Sequence, residues 1–168
     1  MANIILNGKT VVTQTGNDEP LIGGNVVFPA GHIINFKSNS HSTATTITST
    51  TNGSGTSTGL EIGITPSSTS NLLLILVNIQ FRFDGTGGAG FEIYDGTSVI
   101  YNDSARDANY ISVTSNGSKR RHSLQTVINP SSSGSEITYT VRAFKLSGTF
   151  ICQDSNNPST ISICEIKQ

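Results

Sequence analysis

Charged residues are scarce in this chain, and their scarcity excludes several classes of partner. Only 12% of the 168 residues are charged, and the formal net charge is −1. This balance provides no electrostatic reason to bind nucleic acid or an anionic membrane as a main partner. The opening residues, MANIILNGKT, lack a basic segment followed by a long apolar one, so we expect no signal peptide. We therefore expect the protein to stay in the cytoplasm until it is assembled into a larger structure.

Long apolar segments and helical periodicity are also missing. The main apolar run is LLLILV at Leu72–Val77, which is six residues long. A membrane-spanning helix needs about 20 apolar residues. No window keeps apolar residues at the i, i+3, i+4 spacing of an amphipathic helix. The sequence therefore predicts neither a membrane helix nor a helical domain.

Only two cysteines are present, Cys152 and Cys164, and they fall in the last two predicted strands. Neither the cysteines nor His32, His41 and His122 show a metal-binding spacing such as C-x-x-C or H-x-x-x-H. His32 and His41 could still surround an ion together with their copies near a symmetry axis. Without an export signal, reduced and buried cysteine is the expected state. A disulfide would require the last two strands to form a hairpin.

Small polar residues dominate what is present. Ser (23), Thr (21), Asn (15) and Gly (17) together make up 76 of the 168 residues. Ile (19) and Val (9) outnumber Leu, Ala and Met, a bias that favours strands over helices. Short apolar clusters alternate with turn-forming residues. This pattern predicts an all-β fold, a two-sheet antiparallel sandwich of jelly-roll type with roughly ten strands.

The predicted domain organisation has two parts. Residues 28–168 contain the predicted sandwich. Residues 1–27 contain only short apolar pieces separated by Gly and Asn, none long enough to form a core. We predict an extended arm that becomes ordered by lying on a neighbouring molecule, with a pair of ordinary edge strands as the equal alternative. The candidate contact residues of the arm are Ile4, Ile5, Leu6, Val11 and Val12.

Turn signals separate the predicted strands of the sandwich. The glycine-rich segment 85–90 is predicted to turn the chain after a long strand over 71–83. Asp95-Gly96 is a strong hairpin signal, because glycine accepts a positive φ without steric cost. The other predicted strands cover 32–36, 60–64, 110–113, 122–128, 136–146, 149–152 and 160–166.

The run Leu72–Val77 departs from the alternation expected of a strand with one face in water. All six of its residues are apolar, so both of its faces are predicted to be dry. One face is assigned to the core and the other to further copies of the chain in a homotrimer. The intermolecular set is either Leu72, Leu74 and Leu76 or the alternate Leu73, Ile75 and Val77.

Two glycine motifs match known signatures but lack the structural context that the chemistry needs. Gly85–Gly90 fits G-x-G-x-x-G, yet a strand follows where the dinucleotide fingerprint requires a helix. Gly55–Gly59 fits G-x-S-x-G around Ser57, and the nucleophile elbow also requires a helix there. Lys119–His122 is the one charge run, interpreted as a solvated turn or as a partner-binding patch. The sequence therefore predicts no catalytic residue, no cofactor and no metal ligand.

Two segments carry a resemblance to a known group of proteins. Residues 28–36 read FPAGHIINF, and residues 59–74 read GLEIGITPSSTSNLLL. Both are similar to segments of virion structural proteins of tailed bacteriophages, those of cyanobacterial phages in particular. The similarity also includes the glycine-rich region, the Asp95-Gly96 hairpin and the last strand, and it spans residues 26–168.

The resemblance implies a non-enzymatic virion protein, assembled in the host cytoplasm. Proteins of that group are typically trimeric β-sandwiches at fibre tips or on capsids. The chain lacks the shaft of a long fibre, which favours a capsid decoration or cement protein whose arm lies on the major capsid protein or another virion protein. The alternative is a receptor-binding tail-fibre or tail-tip domain that recognises host surface glycan through loops at 85–90, 103–109 and 119–122.

Overall fold

The computed structural model describes residues 2–15, 21–22, 29–103, 111–113, 119–153 and 157–168, and within them β-strands joined by turns and loops are the only regular secondary structure. Within these ranges no helix is long and apolar enough to cross a membrane. The prediction of an all-β fold is confirmed. The strands are β1 (Ala2–Leu6), β2 (Lys9–Gln14), β3 (Leu21–Ile22), β4 (Ile33–His41), β5 (Thr45–Ile47), β6 (Thr56–Ile64), β7 (Leu72–Tyr94), β8 (Val99–Asn102), β9 (Ile111–Val113), β10 (Arg120–Ile128), β11 (Ile137–Cys152) and β12 (Ser159–Ile166).

Strand β7 is the centre of a nine-stranded antiparallel sheet. Its first half pairs with β10 along one edge and with β12 along the other, and β4 lies beyond β12. Its second half pairs with β11 along one edge and with β8 and β9 along the other. Because the two halves have different neighbours, the sheet curls into two layers, which gives the predicted sandwich.

The core lies between the inner faces of these layers. Phenylalanines from both halves of β7 and from β11 form its centre, with Phe83 and Phe150 stacked at a centroid distance of 4.6 Å. Phe81 contacts the ring of Phe150 edge-on, and Phe91 contacts it at a tilt. Offset and edge-on contacts of this kind are the favoured geometries of buried aromatic side chains.

The predicted turn at 85–90 is wrong, because these residues continue β7 instead of ending it. The strand is irregular there: Gly85 has a φ of 103°, and the pairing with β11 shifts register on both sides of Ser147. Aromatic rings fill the space that side chains at the glycines would occupy, since a Cβ on Gly90 would stand 2.5 Å from the ring of Phe144.

The predicted strands 136–146 and 149–152 are likewise one strand, β11.

The predicted Asp95-Gly96 hairpin is confirmed. Tyr94 pairs with Val99 across the turn, and Gly96 has a φ of 90°. One carboxylate oxygen of Asp95 accepts hydrogen bonds from the backbone N–H groups of Thr97 and Ser98, at 2.8 and 2.7 Å. Such bonds to nearby backbone are the reason that Asp is common in turns.

The last two strands, β11 and β12, do not form the hairpin that would bring Cys152 and Cys164 face to face. Strand β12 pairs with β4 and β7, and β11 pairs with β5, β6 and β7. Cys152 and Cys164 are therefore on strands that do not pair with each other, and both are free and buried. Burial raises the pKa of the Cys152 thiol well above its ordinary range, so this group stays protonated and unreactive.

The predicted arm contains a hairpin. β1 and β2 pair around Asn7-Gly8, both with positive φ, and β3 adds two residues to the edge of β2. These three strands form a sheet of their own, separate from the nine-stranded one. Residues 2–14 thus pair with one another, and whether they lie as an arm on a neighbouring molecule stays a prediction. Positions 1, 16–20 and 23–28 lie outside the described residues.

Candidate assembly surface

The run Leu72–Val77 opens strand β7, and its side chains divide between the two faces of the sheet. Leu73 and Ile75 are fully buried in the core, and Val77 is 3% exposed. Leu72 and Leu74 are half-buried, and Leu76 is 40% exposed. The first set belongs to the chain's own core. The second set is therefore the one available to another molecule, and whether a second copy covers it stays a prediction.

Neighbouring strands extend the second set into a continuous apolar surface. Leu74 pairs with Val127 of β10 on one side and with Cys164 on the other, and Cys164 pairs with Phe36 of β4. Leu72 pairs with Ile166, which pairs in turn with Ile33. Paired residues share a face of the sheet. We call the following residues the outer apolar patch: Ile33, Phe36, Leu72, Leu74, Leu76 and Val127.

Three members of the outer apolar patch are more exposed than any residue of the run Leu72–Val77. Ile33 is 61% exposed, Phe36 60% and Val127 54%. The sequence did not single out these three as contact residues. Their pairing partners lie at least 53 positions away along the chain, so only the register of the sheet brings them together.

Beside the patch, the same outer face becomes polar. A cavity of about 670 Å³ is bordered by Leu76, Val77, Leu124 and Tyr101 and by neutral polar residues of β7, β10 and β12. Asn78 is held in place there: its amide donates to the hydroxyl of Ser123 at 3.1 Å and accepts from Arg121 at 2.6 Å. We call this the polar groove, bordered by Leu76, Asn78, Ser123, Gln125, Thr160 and Ser162.

The hairpin β1–β2 presents a second apolar surface. Ile4 and Ile5 are each 57% exposed, and Leu6 is 63% exposed. Val11 and Val12 are half-buried. Every arm residue singled out from the sequence is thus at least partly accessible in the single chain, and its contact with a partner stays a prediction.

A buried carboxylate lies at the edge of the core beside β10. Asp103 accepts a hydrogen bond from the Tyr101 hydroxyl at 2.8 Å and another from the Phe91 backbone N–H at 3.1 Å. Nε2 of His122 is 3.4 Å from the same carboxylate, and the His122 ring stacks on Phe91. No nucleophile completes this group among the described contacts. The two hydrogen bonds attach Asp103, which follows β8, to Phe91 of β7 and to Tyr101 of β8, and the His122 contact places it beside β10.

Two further buried acids support loops. Glu92 accepts backbone N–H bonds from Gly53 and Gly55 at 2.9 and 2.7 Å, closing the turn before β6. Glu165 accepts bonds from Asn71 and from both the hydroxyl and the backbone of Ser67. Burial alone would raise the pKa of Glu165, but these hydrogen bonds outweigh it and hold the pKa below its ordinary value.

The two glycine motifs that matched known signatures lie in or at the start of strands, and no helix follows either of them among the described residues. Ser57 lies within β6, paired with Arg142, and the Gly85–Gly90 segment lies within β7. Among the described residues no group of three or more His, Cys, Asp and Glu side chains could hold a metal ion. Arg120 and Arg121 begin β10, where Arg121 also donates to the carbonyl of Pro158 at 3.3 Å.

No protein-family model and no curated protein sequence match this chain. Among solved structures, it is similar to infectious bursal disease virus VP2 in a subviral particle, with a TM-score of 0.42 and 12% identity over 95% of this chain and 46% of that one. It is also similar to the viral particle of the same virus, at 0.43 and 12% over 91% and 39%. Dimeric latent PorU from Porphyromonas gingivalis aligns at 0.37 and 14% over 83% and 14%. The chain spans less than half the length of each of these proteins, and we assign no function from such distant similarity.

Proposed function

We propose that this chain is a non-enzymatic structural protein of a virion, which self-associates as a trimer and decorates the capsid. The observation that carries the proposal is the outer apolar patch, in which four exposed and two half-buried apolar side chains from β4, β7 and β10 share one face of the sheet. Contiguous apolar surfaces of this kind mark sites of association in soluble proteins. The sequence resemblance over residues 26–168 supplies the virion context.

The patch is suited to a weak contact that is repeated in an assembly. Full burial of a large apolar side chain contributes roughly 1.5–3 kcal/mol. Ile33, Phe36 and Val127 are already partly covered, so each would gain about half of that. A pair of molecules also loses rotational and translational freedom on binding. Several such contacts within one ring or on one capsid are therefore needed for a stable complex.

Sedimentation velocity of the purified full chain tests the self-association. We expect an oligomer, and we expect Val127→Asp to shift it to monomer, because the contact would bury an unpaired charge. Thr138→Asp is the matched control, since Thr138 is exposed on β11 and outside the patch. A wild-type protein that stays monomeric at high concentration contradicts the proposal.

The virion context needs its own measurement. Labelled protein is mixed with purified capsids that lack it, and binding is followed by co-sedimentation and electron microscopy. We expect saturable binding at regular positions on the head and greater resistance of the head to heat. Binding to the tail alone, or to neither structure, would exclude a decoration protein.

A receptor-binding tail domain is the second candidate, and the polar groove favours it. Its hydroxyl and amide groups both donate and accept hydrogen bonds, as the hydroxyl groups of a sugar do. Exposed Leu76 offers an apolar contact beside them. Binding of the protein to host cells or their polysaccharide, weakened by Gln125→Ala and not by Thr138→Ala, would select this candidate over decoration.

A further inference from the structure

We infer that the outer apolar patch of one copy is covered by the β1–β2 hairpin, Ala2–Gln14, of a second copy. The inference rests on the proposed self-association and names the segment that performs it. It differs from the expectation that the arm lies on the capsid shell, because it gives the hairpin a partner of the same chain.

The distribution of exposed apolar side chains is the first observation. Among the described residues eight large apolar side chains are exposed. One of them, Leu146, stands alone on β11. The other seven fall on two surfaces, the hairpin (Ile4, Ile5, Leu6) and the outer apolar patch (Ile33, Phe36, Leu76, Val127). Two apolar surfaces on different sheets of one chain are the components of a contact between copies.

The hairpin needs a partner to be stable. β1 and β2 form a small separate sheet with only the two residues of β3 added. A two-stranded hairpin in water is marginally stable at best and requires packing against another element. The hairpin does not cover the patch of its own chain, since both surfaces are exposed in the single molecule. A second copy offers the same patch to the hairpin.

The two surfaces match in length and in charge. β1 has five residues and is about 17 Å long at 3.4 Å per residue. The paired row from Phe36 to Val127 crosses four strands, a width of about 14 Å at 4.8 Å per strand. The patch contains no charged residue, and Lys9 is the one charge among residues 2–14, where it pairs with Leu6 next to the turn. The neighbouring pair Ile4 and Val12 is apolar, and the long side chain of Lys9 can keep its ammonium group in water at the rim of the contact.

Such a contact is heterologous, with a different surface of each copy at the interface. Each chain donates one hairpin and receives another, so copies join head to tail, in a ring where the rotation between copies closes and in a filament where it does not. Contact of one patch with another patch would be isologous and would give a dimer. A hairpin exchanged around a ring is thus compatible with the trimer expected from the sequence.

Disulfide trapping in the full chain tests the pairing directly. Leu6→Cys and Val127→Cys chains are prepared separately, mixed and oxidised. We expect a cross-linked product that contains one chain of each kind, formed in the mixture at least several-fold faster than in either variant alone. Wild-type protein controls for the buried Cys152 and Cys164, and a mixture of Leu6→Cys with Thr138→Cys controls for random collision.

Two outcomes overturn the inference. Cross-linking of Val127→Cys with itself, without the mixed product, would show patch against patch. An intramolecular bond in a chain carrying both substitutions, with no mixed product between chains, would show the hairpin on its own patch.

A charge on the hairpin separates this inference from the proposed function. We expect Ile4→Asp, opposite the apolar Val12, to raise the dissociation constant of the oligomer roughly tenfold or more, with Thr15→Asp, at the exposed residue that follows the hairpin, as control. An oligomer that is insensitive to Ile4→Asp but dissociated by Val127→Asp overturns the hairpin contact and leaves the proposed function standing. A monomeric wild-type chain overturns the proposed function itself.

Discussion

Tyr139 is a large buried side chain whose hydroxyl has no hydrogen-bond partner. Burial, with a smaller effect from the charge of Asp95, raises the pKa of Tyr139 to about 12. A buried polar atom without a partner costs roughly 1–3 kcal/mol relative to one that is hydrogen-bonded. The ring contributes apolar contacts to the core, and the hydroxyl reduces that contribution.

We therefore expect Tyr139→Phe to leave the free energy of unfolding unchanged or to raise it by about 1 kcal/mol. Urea unfolding at neutral pH measures the change. The wild-type protein should also lose stability between pH 10 and about 12, because the unfolded state releases the tyrosine proton first. This part of the loss should disappear in the variant. A destabilisation above 1 kcal/mol would contradict the unpaired hydroxyl.

Glu165 differs from Tyr139, because its buried carboxylate accepts hydrogen bonds from several donors. Its lowered pKa means that the folded state favours the carboxylate. The stabilisation is therefore complete above the ordinary glutamate pKa of 4.5. It is lost as the pH falls through the lower value of the folded state.

Glu165→Gln should lower the melting temperature at pH 7, because an amide accepts the bonds from Ser67 and Asn71 less strongly than a carboxylate does. Thermal unfolding followed from pH 7 to pH 3 measures the effect, and the difference between the proteins should shrink toward acid pH. Glu61→Gln, on an exposed position of β6, is the control. A difference that is independent of pH would assign the effect to packing alone.

At the scale of the element, the bend of β7 depends on glycines that contact aromatic rings. A Cβ on Gly90 would lie 2.5 Å from the Phe144 ring and 2.9 Å from the Asp103 carbonyl oxygen. A Cβ on Gly87 would meet the ring of Phe83. The rings cover backbone that has no side chain of its own, so the strand continues through a segment whose composition is typical of a turn.

Gly90→Ala should consequently destabilise the protein by about 1–3 kcal/mol, because a well-packed core accommodates an added methyl group poorly. Chemical denaturation measures the loss. Thr86→Ala, at an exposed position of the same strand, should change stability by less than about 0.5 kcal/mol. Equal effects of the two substitutions would contradict the close packing at Gly90.

Elements that depend on neighbouring residues were predictable from the sequence, and elements that depend on distant contacts were not. The hairpin at Asp95-Gly96 was predictable because the turn bonds join residues two or three positions apart. The continuation of β7 through 85–90 was not, since it depends on the ring of Phe144, more than 50 positions away. The pairing of β12 with β4 and β7 instead of β11 is decided by equally distant contacts.

At the scale of the whole molecule, the proposed self-association through the outer apolar patch predicts that stability depends on protein concentration. Association of folded copies stabilises the folded state by mass action. We expect the melting temperature to rise with protein concentration, and to do so similarly in low and high salt, because an apolar contact is not screened by ions. Phe36→Ser should remove the dependence on concentration, measured by calorimetry over a hundred-fold dilution. A dependence that vanishes in high salt would indicate ionic contacts instead.

The sequence by itself determined that this protein is all-β, that Asp95-Gly96 turns the chain, and that Leu72–Val77 is apolar on both faces of its strand. These properties depend on φ preferences and on side chains near one another along the chain. Only the tertiary structure decided that Leu73, Ile75 and Val77 lie inside, and that Phe36 and Val127 join Leu74 on the outside. The reason is physical: a strand's side chains alternate between faces, but the neighbours that cover a face come from distant strands in a register that no local signal specifies.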